Sequence, residues 1–536
     1  MTRQCTGRSA RRRAALALLL AAGAPGALPS AAAEWRQYED PETAGWSPQG
    51  LAAARATAEE VGSAAVMVVE DGVVVAAWGQ VERPFPVYSM RKGLYNALIG
   101  MLVGKGVIEL DATLGELGLD EAEPLTSVER SATVEHLLTA RSGVYRVSAY
   151  EPESMRRGRP ERGSHRPGEH WFYNNWDFNV LAHLVEETAG RDLAPLFREG
   201  IAGPLGMEDF SLDDVFSFHE PSRSRYPAVV FRMSARDLAR FGELYRRRGV
   251  WEGERLLAED WIEVSWTPRT TFAEGSPFGA GNGFGYLWWI YPARRDGGTP
   301  FARHDVYLTR GSGGQVLAVL PALDLVIVHL TAAEDGGFED AVRVIDAVVA
   351  ARSAPAADGE ERVTVALSPR ALPDPPPERE RRAVVPWSRE WIEALTGEYT
   401  LGPRISFLVH EVEGRLFALP RGAPLAEVEL FADATGTIFN PAVDLALQVV
   451  RDEHGRVVAL EGILDGRPAR IERTPSGPDP EHPSSSGPRG EASAHHVEPA
   501  ELLGVREQLE LFECAAVATR GSLSPPSSAR RAAGRW

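Results

Sequence analysis

The spacing of apolar residues along this chain changes character several times, and each change marks an element. Residues 51–61 are alanine-rich with helical spacing. Two short apolar runs, 65–70 and 73–78, flank Asp71-Gly72, a dipeptide that closes a tight hairpin because both of its positions accept positive φ. Leu94, Ala97, Leu98, Met101 and Leu102 recur at helical intervals and predict a helix running to about Gly104. A short capped helix is expected over 133–138, with His136 a structural member of it. Further helices are expected over 180–188, closed by Gly190, and over 234–247. Between them, 145–170 is polar, with Arg156, Arg157, Arg159, Arg162 and Arg166 among prolines and glycines, the pattern of a long surface loop. Strands are predicted at 286–290, 306–308, 315–320 and 325–330, and a last helix at 338–351. Strands from both ends of this region, with a helical middle, predict an α+β fold (an α/β sandwich): a sheet with flanking helices and a helical subdomain.

Beyond residue 352 the pattern changes. Residues 353–388 are rich in Pro, Ala and charge, a linker by composition. Residues 389–474 carry short alternating segments at 405–409, 415–418, 443–451, 457–463 and 469–472, which predict a small C-terminal all-β domain. Residues 475–536 begin with Ser, Pro, Gly and His and read as a disordered tail, with a short helical pattern over 499–518.

Charge and composition narrow the partners. A net charge of −18 argues against a nucleic-acid partner and against binding to an anionic membrane surface. Residues 1–33 read as an export signal. Arg3, Arg8 and Arg11-Arg12-Arg13 precede an apolar run at 14–20, and Ala31-Ala32-Ala33 offers a small-residue cleavage site before Glu34. Pro25 and Pro29 interrupt the run too early for a membrane anchor. The expected destination is periplasmic or secreted, with no stable anchor after cleavage; the arginine triplet fits a twin-arginine route. The two cysteines are Cys5, which leaves with the leader, and Cys514, so no intrachain disulfide framework is expected.

Candidate chemistry concentrates where the helix of 94–104 begins. Ser89 stands where serine is a favoured cap, and Lys92 lies one turn along the same face. A serine hydroxyl becomes a useful nucleophile when a neighbouring base takes its proton, and a neutral amine one turn away can do so. Of the 57 basic residues only two are lysine, Lys92 and Lys105. Arginine keeps its proton in proteins, whereas lysine shifts its pKa readily on burial, so a lysine retained here points to a removable proton. Lys105, next to Gly104 at the helix end, suits the helix dipole and reads as structural. No metal or cofactor is expected, because there is no His-Glu-x-x-His and the histidines are few and scattered. The glycine-rich stretch 279–285 lacks a phosphate-loop lysine and leads into a strand, so it reads as a turn. There is also no Gly-x-Ser-x-Gly elbow of the α/β-hydrolase kind.

Residues 45–352 resemble the β-lactamase-related serine hydrolases, the group of class C β-lactamases, D-alanyl-D-alanine carboxypeptidases, related esterases and 6-aminohexanoate-dimer hydrolase. Ser89-Met90-Arg91-Lys92 is similar to the first family motif and Tyr173-Asn174-Asn175 to the second, Tyr-x-Asn. Thr309-Arg310-Gly311, ahead of Ser312-Gly313-Gly314, is similar to the third, Lys-Thr-Gly or His-x-Gly. The resemblance implies a β-lactamase-like antiparallel sheet and an acyl-enzyme on Ser89. It implies that Lys92 and Tyr173 exchange a proton, that the Asn175 amide is aimed at Lys92 and the substrate, and that the amides of Ser89 and Ser312 form the oxyanion hole. Thr309, Arg310 and Gly311 would line the substrate. Asp177 would meet a substrate amine or cap the following helix, and Tyr145 and Tyr150 sit where some amide-hydrolysing relatives carry a second tyrosine. His304 is assigned no role.

The third motif departs from the family pattern. Thr309 stands where penicillin-recognising members place a cation on the substrate carboxylate, and on a strand its neighbour Arg310 is expected to point away. The implied activity is hydrolysis of a small ester or amide, with β-lactamase or D-alanyl-D-alanine carboxypeptidase as the alternative. An alternative of another class is a catalytically idle binding module working through the C-terminal β domain.

Overall fold

The computed structural model describes residues 34–474, apart from 295–297, 333–335, 354–361, 374–381, 403–404, 422–426, 441–444 and 465–466. The expected export signal and the expected tail lie outside the described residues. The Asp71-Gly72 hairpin forms as predicted: Ser63–Glu70 pairs with Val73–Gly79, Glu70 opposite Val73, with Asp71 and Gly72 at φ 48° and 82°. Every residue of Ser63–Glu70 and of the neighbouring strand Leu325–Thr331 is buried. Helices cover both faces of the sheet there, which is why these strands read as continuous apolar runs. Ala235–Arg246 packs on one face, and Gly242 of this helix would bring a Cβ within 2.5 Å of Val326. Pro48–Glu60 and Phe338–Ala350 pack together on the other.

The full sheet has ten strands, in the order Thr364–Ala366, Arg36–Tyr38, Val73–Gly79, Ser63–Glu70, Leu325–Thr331, Gln315–Leu320, Val306–Gly311, Trp289–Tyr291, Gly283–Phe284, Thr270–Thr271. It is antiparallel, as the family resemblance implies, except near one edge, where Arg36–Tyr38 runs parallel to Val73–Gly79. One correction concerns the linker. Thr364–Ala366 lies within 353–388, yet it closes one edge of the sheet against Arg36–Tyr38. At the far end of the same stretch, Val385 pairs with Ala432 and the Trp387 indole donates to Leu430 O at 2.9 Å. The β-branched pair Thr364-Val365 makes a strand too short to stand out against its Pro- and charge-rich surroundings.

The C-terminal all-β domain is a closed eight-stranded barrel running from Gly397–Leu401 to Arg467–Arg473. Tyr399, Val409, Leu416, Ile438, Leu447 and Ile471 fill it, and a short helix, Arg389–Leu395, adds Leu395 to the same core. Gly397–Leu401, Val428–Ala432 and Ile438–Asn440 escaped the sequence reading because three to five residues are too few to show a clear alternation. Among the described residues no helix is long and apolar enough to cross a membrane.

Candidate active site

The site begins at a strained turn. Tyr88 has φ 46°, a region that side chains with a Cβ rarely occupy, and Tyr88–Met90 forms one 3-10 turn ahead of the helix Arg91–Gly104. The turn is held from behind. Arg91 Nη1 donates to Tyr88 O at 3.2 Å, Arg91 Nε donates to Tyr95 OH at 3.1 Å, and Val87 N–H bonds Phe231 O at 3.1 Å. Ser89 is therefore not a helix cap, contrary to expectation; Met90 occupies that position without a side-chain bond. The strained turn instead presents the Ser89 hydroxyl to Lys92, with Nζ and Oγ 2.8 Å apart.

Lys92 is 2% exposed, and its Nζ also lies 2.7 Å from Tyr173 OH. The ring faces of Tyr173 and Phe178 sit 4.4 and 4.7 Å from the amine. Among the described residues it has no acidic partner. Burial, with the Arg91 charge adding to it, holds the Lys92 pKa well below the usual lysine value. Burial has the opposite effect on Tyr173, raising its phenol pKa against the pull of the Ser89 hydrogen bond and of the Arg91 and Arg310 charges. Both groups are driven towards their neutral forms, in which an amine is able to accept a proton and a phenol to donate one.

Asn175 opens the helix Asn175–Ala189, and its Nδ2 donates to Tyr150 O. Among the described residues Asn175 Oδ1 is buried without a hydrogen-bond partner, so the amide expected to be aimed at Lys92 forms no bond to it. Asp177 is corrected more sharply. Asn174 caps the helix, accepting the Asp177 N–H at 2.9 Å, while the Asp177 carboxyl is fully buried and accepts the Ser142 hydroxyl at 2.6 Å. It can reach neither a substrate amine nor the cap. Burial raises its pKa to about 8. The folded protein thus keeps a proton that the unfolded chain has lost, so stability falls as pH rises from the ordinary carboxyl range towards that value. Asp177→Asn, which keeps the shape and the acceptor, is expected to raise the thermal unfolding midpoint. Its margin over wild type should widen from about pH 5 to about pH 8, as read by thermal melts at each pH.

The two loop tyrosines differ in their surroundings, the Tyr150 ring centroid lying 5.3 Å from the Arg91 guanidinium. Tyr145 is buried with its OH 3.1 Å from His165 Nδ1 and its ring edge-on to Phe172. Tyr150, at φ 57°, packs its ring against Phe218 and contributes its backbone carbonyl to Asn175. Several loop arginines are paired with acids, Arg159 with Glu151 and Arg162 with Glu123 and Glu129.

The third motif lies on Val306–Gly311. Trp289–Tyr291 pairs with this strand only as far as Leu308, which leaves the outer edge of 309–311 open on that side. Alternation puts Thr309 and Arg310 on opposite faces. Thr309 is buried against the helix that follows Ser89, its Cγ2 2.4 Å from where a Cβ on Gly93 would lie. Arg310 lies on the other face, 3.9 Å from the Trp289 ring centroid and 4.5 Å from that of Phe338, and its charge acts on Tyr173, whose ring is 5.5 Å from that of Trp289. A Cβ on Gly311 would fall 2.4 Å from Val87 O, so this edge abuts the Ser89 turn. The exposed Ser312 heads the next turn, Ser312–Gly314. Buried His329 holds that turn, donating from Nδ1 to Gly314 O at 2.7 Å and accepting the Ser63 hydroxyl at Nε2 at 2.8 Å. Gln315 adds two bonds to the Thr331 backbone, at 2.7 and 3.1 Å.

Arg91, Asn96 and His329 were missed from the sequence. Asn96 is fully buried, donating to Ser265 Oγ and Tyr286 O at 3.0 and 2.9 Å and accepting from Tyr245 OH at 2.6 Å. A polar residue among the apolar positions of helix 94–104 is the signal that could have found it. His136 takes the structural part expected of it, its Nδ1 accepting the Thr133 N–H at 3.1 Å.

A family model described as Beta-lactamase matches residues 49–351, more than half of the chain. The chain belongs to the β-lactamase family. Members of that family are serine hydrolases, and this protein is one of them. No curated protein matches the chain. Similar solved structures include a β-lactamase from Mycobacterium bovis, 23% identical over 55% of this chain and 96% of that one, with a TM-score of 0.40. An octameric penicillin-binding protein homologue from Pyrococcus abyssi is 19% identical over 79% of this chain and 99% of its own, with a TM-score of 0.44. A family VIII carboxylesterase is 16% identical over 56% of this chain and 97% of its own, with a TM-score of 0.44.

Proposed function

We propose that this β-lactamase-family protein is exported and cleaves a small ester or amide through an acyl-enzyme on Ser89. The observation that carries the reading is Lys92, buried without an acidic partner among the described residues and bonded to both the Ser89 and Tyr173 hydroxyls. Neutral Lys92 accepts the Ser89 proton as Oγ attacks the carbonyl carbon. The amides of Ser89 and Ser312 receive the oxyanion, each donor contributing about 3 kcal/mol in comparable sites. Tyr173, bonded to the now charged Lys92, passes a proton to the leaving group, and water hydrolyses the ester on Ser89 with the same pair working in reverse. The open edge of 309–311 receives the substrate backbone.

Thr309 in place of a cation favours substrates without a carboxylate at that point. A β-lactamase or D-alanyl-D-alanine carboxypeptidase is the second reading, supported by the Arg310 charge that acts on Tyr173. A fluorophosphonate probe followed by mass spectrometry tests the main reading. One adduct on Ser89, absent from Ser89→Ala, is expected. A well-folded protein that takes no adduct would overturn it in favour of a binding module. Comparing hydrolysis of p-nitrophenyl esters with that of nitrocefin separates the two substrate classes.

A further inference from the structure

After the strand Val215–Phe218 the chain runs through His219-Glu220-Pro221-Ser222-Arg223, a stretch that touches two distant parts of the protein. On one side Glu220, 1% exposed, accepts the Tyr150 N–H on Oε2. Tyr150 in turn presents its carbonyl to Asn175 Nδ2. A carbonyl only accepts, so Nδ2 must face it, and Oδ1 is turned the other way. The orientation of the Tyr-x-Asn amide is thus set from behind the site. On the other side, Ser222 donates its N–H and its hydroxyl to Glu427 Oε2 at 3.0 and 2.7 Å. Glu427 is 1% exposed and belongs to the barrel, where its Oε1 bonds His410 Nε2.

We infer that Glu427 and Glu220 are positioning residues of the active site: the barrel holds the 220–222 turn, and the turn holds Tyr150 and through it Asn175. The inference rests on Ser89 being the nucleophile. Two physical features support it. Tyr150 sits at φ 57°, a sparsely populated conformation that persists only where the surroundings enforce it. The buried Glu220 oxygen on its N–H is one such restraint, shielded from competition with water. Burying Glu427 between two domains is likewise tolerable only while its oxygens are bonded, so the Ser222 contact is a specific link and not incidental packing.

The test follows labelling of Ser89 in the full chain by a fluorophosphonate. The amplitude counts competent molecules, and the rate constant reports the geometry of each. In Glu427→Ala and in Glu220→Ala the rate constant is expected to fall about tenfold or more, the scale set by sub-ångström to ångström misplacement of catalytic groups. Glu427→Gln and Glu220→Gln, which keep an oxygen for Ser222 and Tyr150, should recover most of it. An alanine variant that loses amplitude but labels at the wild-type rate constant would mean that the contact serves folding alone and would overturn the inference. So would glutamine variants as slow as the alanine ones. Absence of any Ser89 labelling in the wild type would instead count against the nucleophile reading itself.

Discussion

Replacing Lys92 with arginine is expected to lower kcat/KM by about a thousandfold, the midpoint of what a positioned general base contributes. Arginine carries a charge that it cannot release at any working pH. It also forces a second guanidinium into a buried position already adjoining Arg91. Lys92→Met keeps the apolar stem without the amine and should be as inactive as the arginine form, which separates proton transfer from packing. The wild-type pH profile should agree. kcat/KM climbs as pH rises through the lowered Lys92 pKa, because only the neutral amine takes the Ser89 proton. It then stays level until the Tyr173 phenol, raised above its ordinary 10.0, ionises. Steady-state kinetics on any substrate found in the ester and amide screen checks both points. An active Lys92→Arg enzyme would remove the base from the mechanism.

The second large effect is expected at Gly311. Its backbone is ordinary extended strand, φ −124° and ψ 167°, so any residue can adopt it. Space is what requires glycine. An added Cβ would lie 2.4 Å from Val87 O and 3.1 Å from Tyr88 Cβ. Tyr88 already holds a left-handed conformation, and little freedom remains to absorb the push. Gly311→Ala should therefore part the strand from the Ser89 turn, separating the two amides proposed for the oxyanion. A loss of about a hundredfold in kcat/KM is expected for misplacement on the ångström scale. A stability cost of about 1–3 kcal/mol should accompany it, as for other overpacked sites. Kinetics and thermal melts on the same preparation give both numbers. Wild-type turnover in Gly311→Ala would show that this edge takes no part in the reaction.

Much of the architecture was legible before any coordinates. The Asp71-Gly72 turn, the helix after Ser89, the helices capped by Thr133 and Ser234 and the change to an all-β domain after the linker are local facts. Each depends on a cap, a turn residue or a spacing within a few positions. Ser89 and Lys92 were legible for the same reason, since one helical turn joins them, and the scarcity of lysine gave Lys92 weight. The edge strand Thr364–Ala366 was not, because its pairing with Arg36–Tyr38 joins residues more than three hundred positions apart.

What the sequence by itself determined is the class of fold and the placing of Ser89 and Lys92 one helical turn apart. Tertiary structure decided the protonation of such groups and the use of their neighbours. The Lys92 amine is driven towards its neutral form because folding strips its water and sets Arg91 beside it, a matter of burial that no spacing encodes. Asp177 turned from a substrate contact into a buried, proton-holding partner of Ser142 because the helix begins at Asn175 and faces it inward. Asn175 is oriented by a backbone carbonyl from Tyr150, twenty-five residues away in the chain. Local patterns specify elements because their hydrogen bonds are local; desolvation and long-range contacts exist only once the elements have packed.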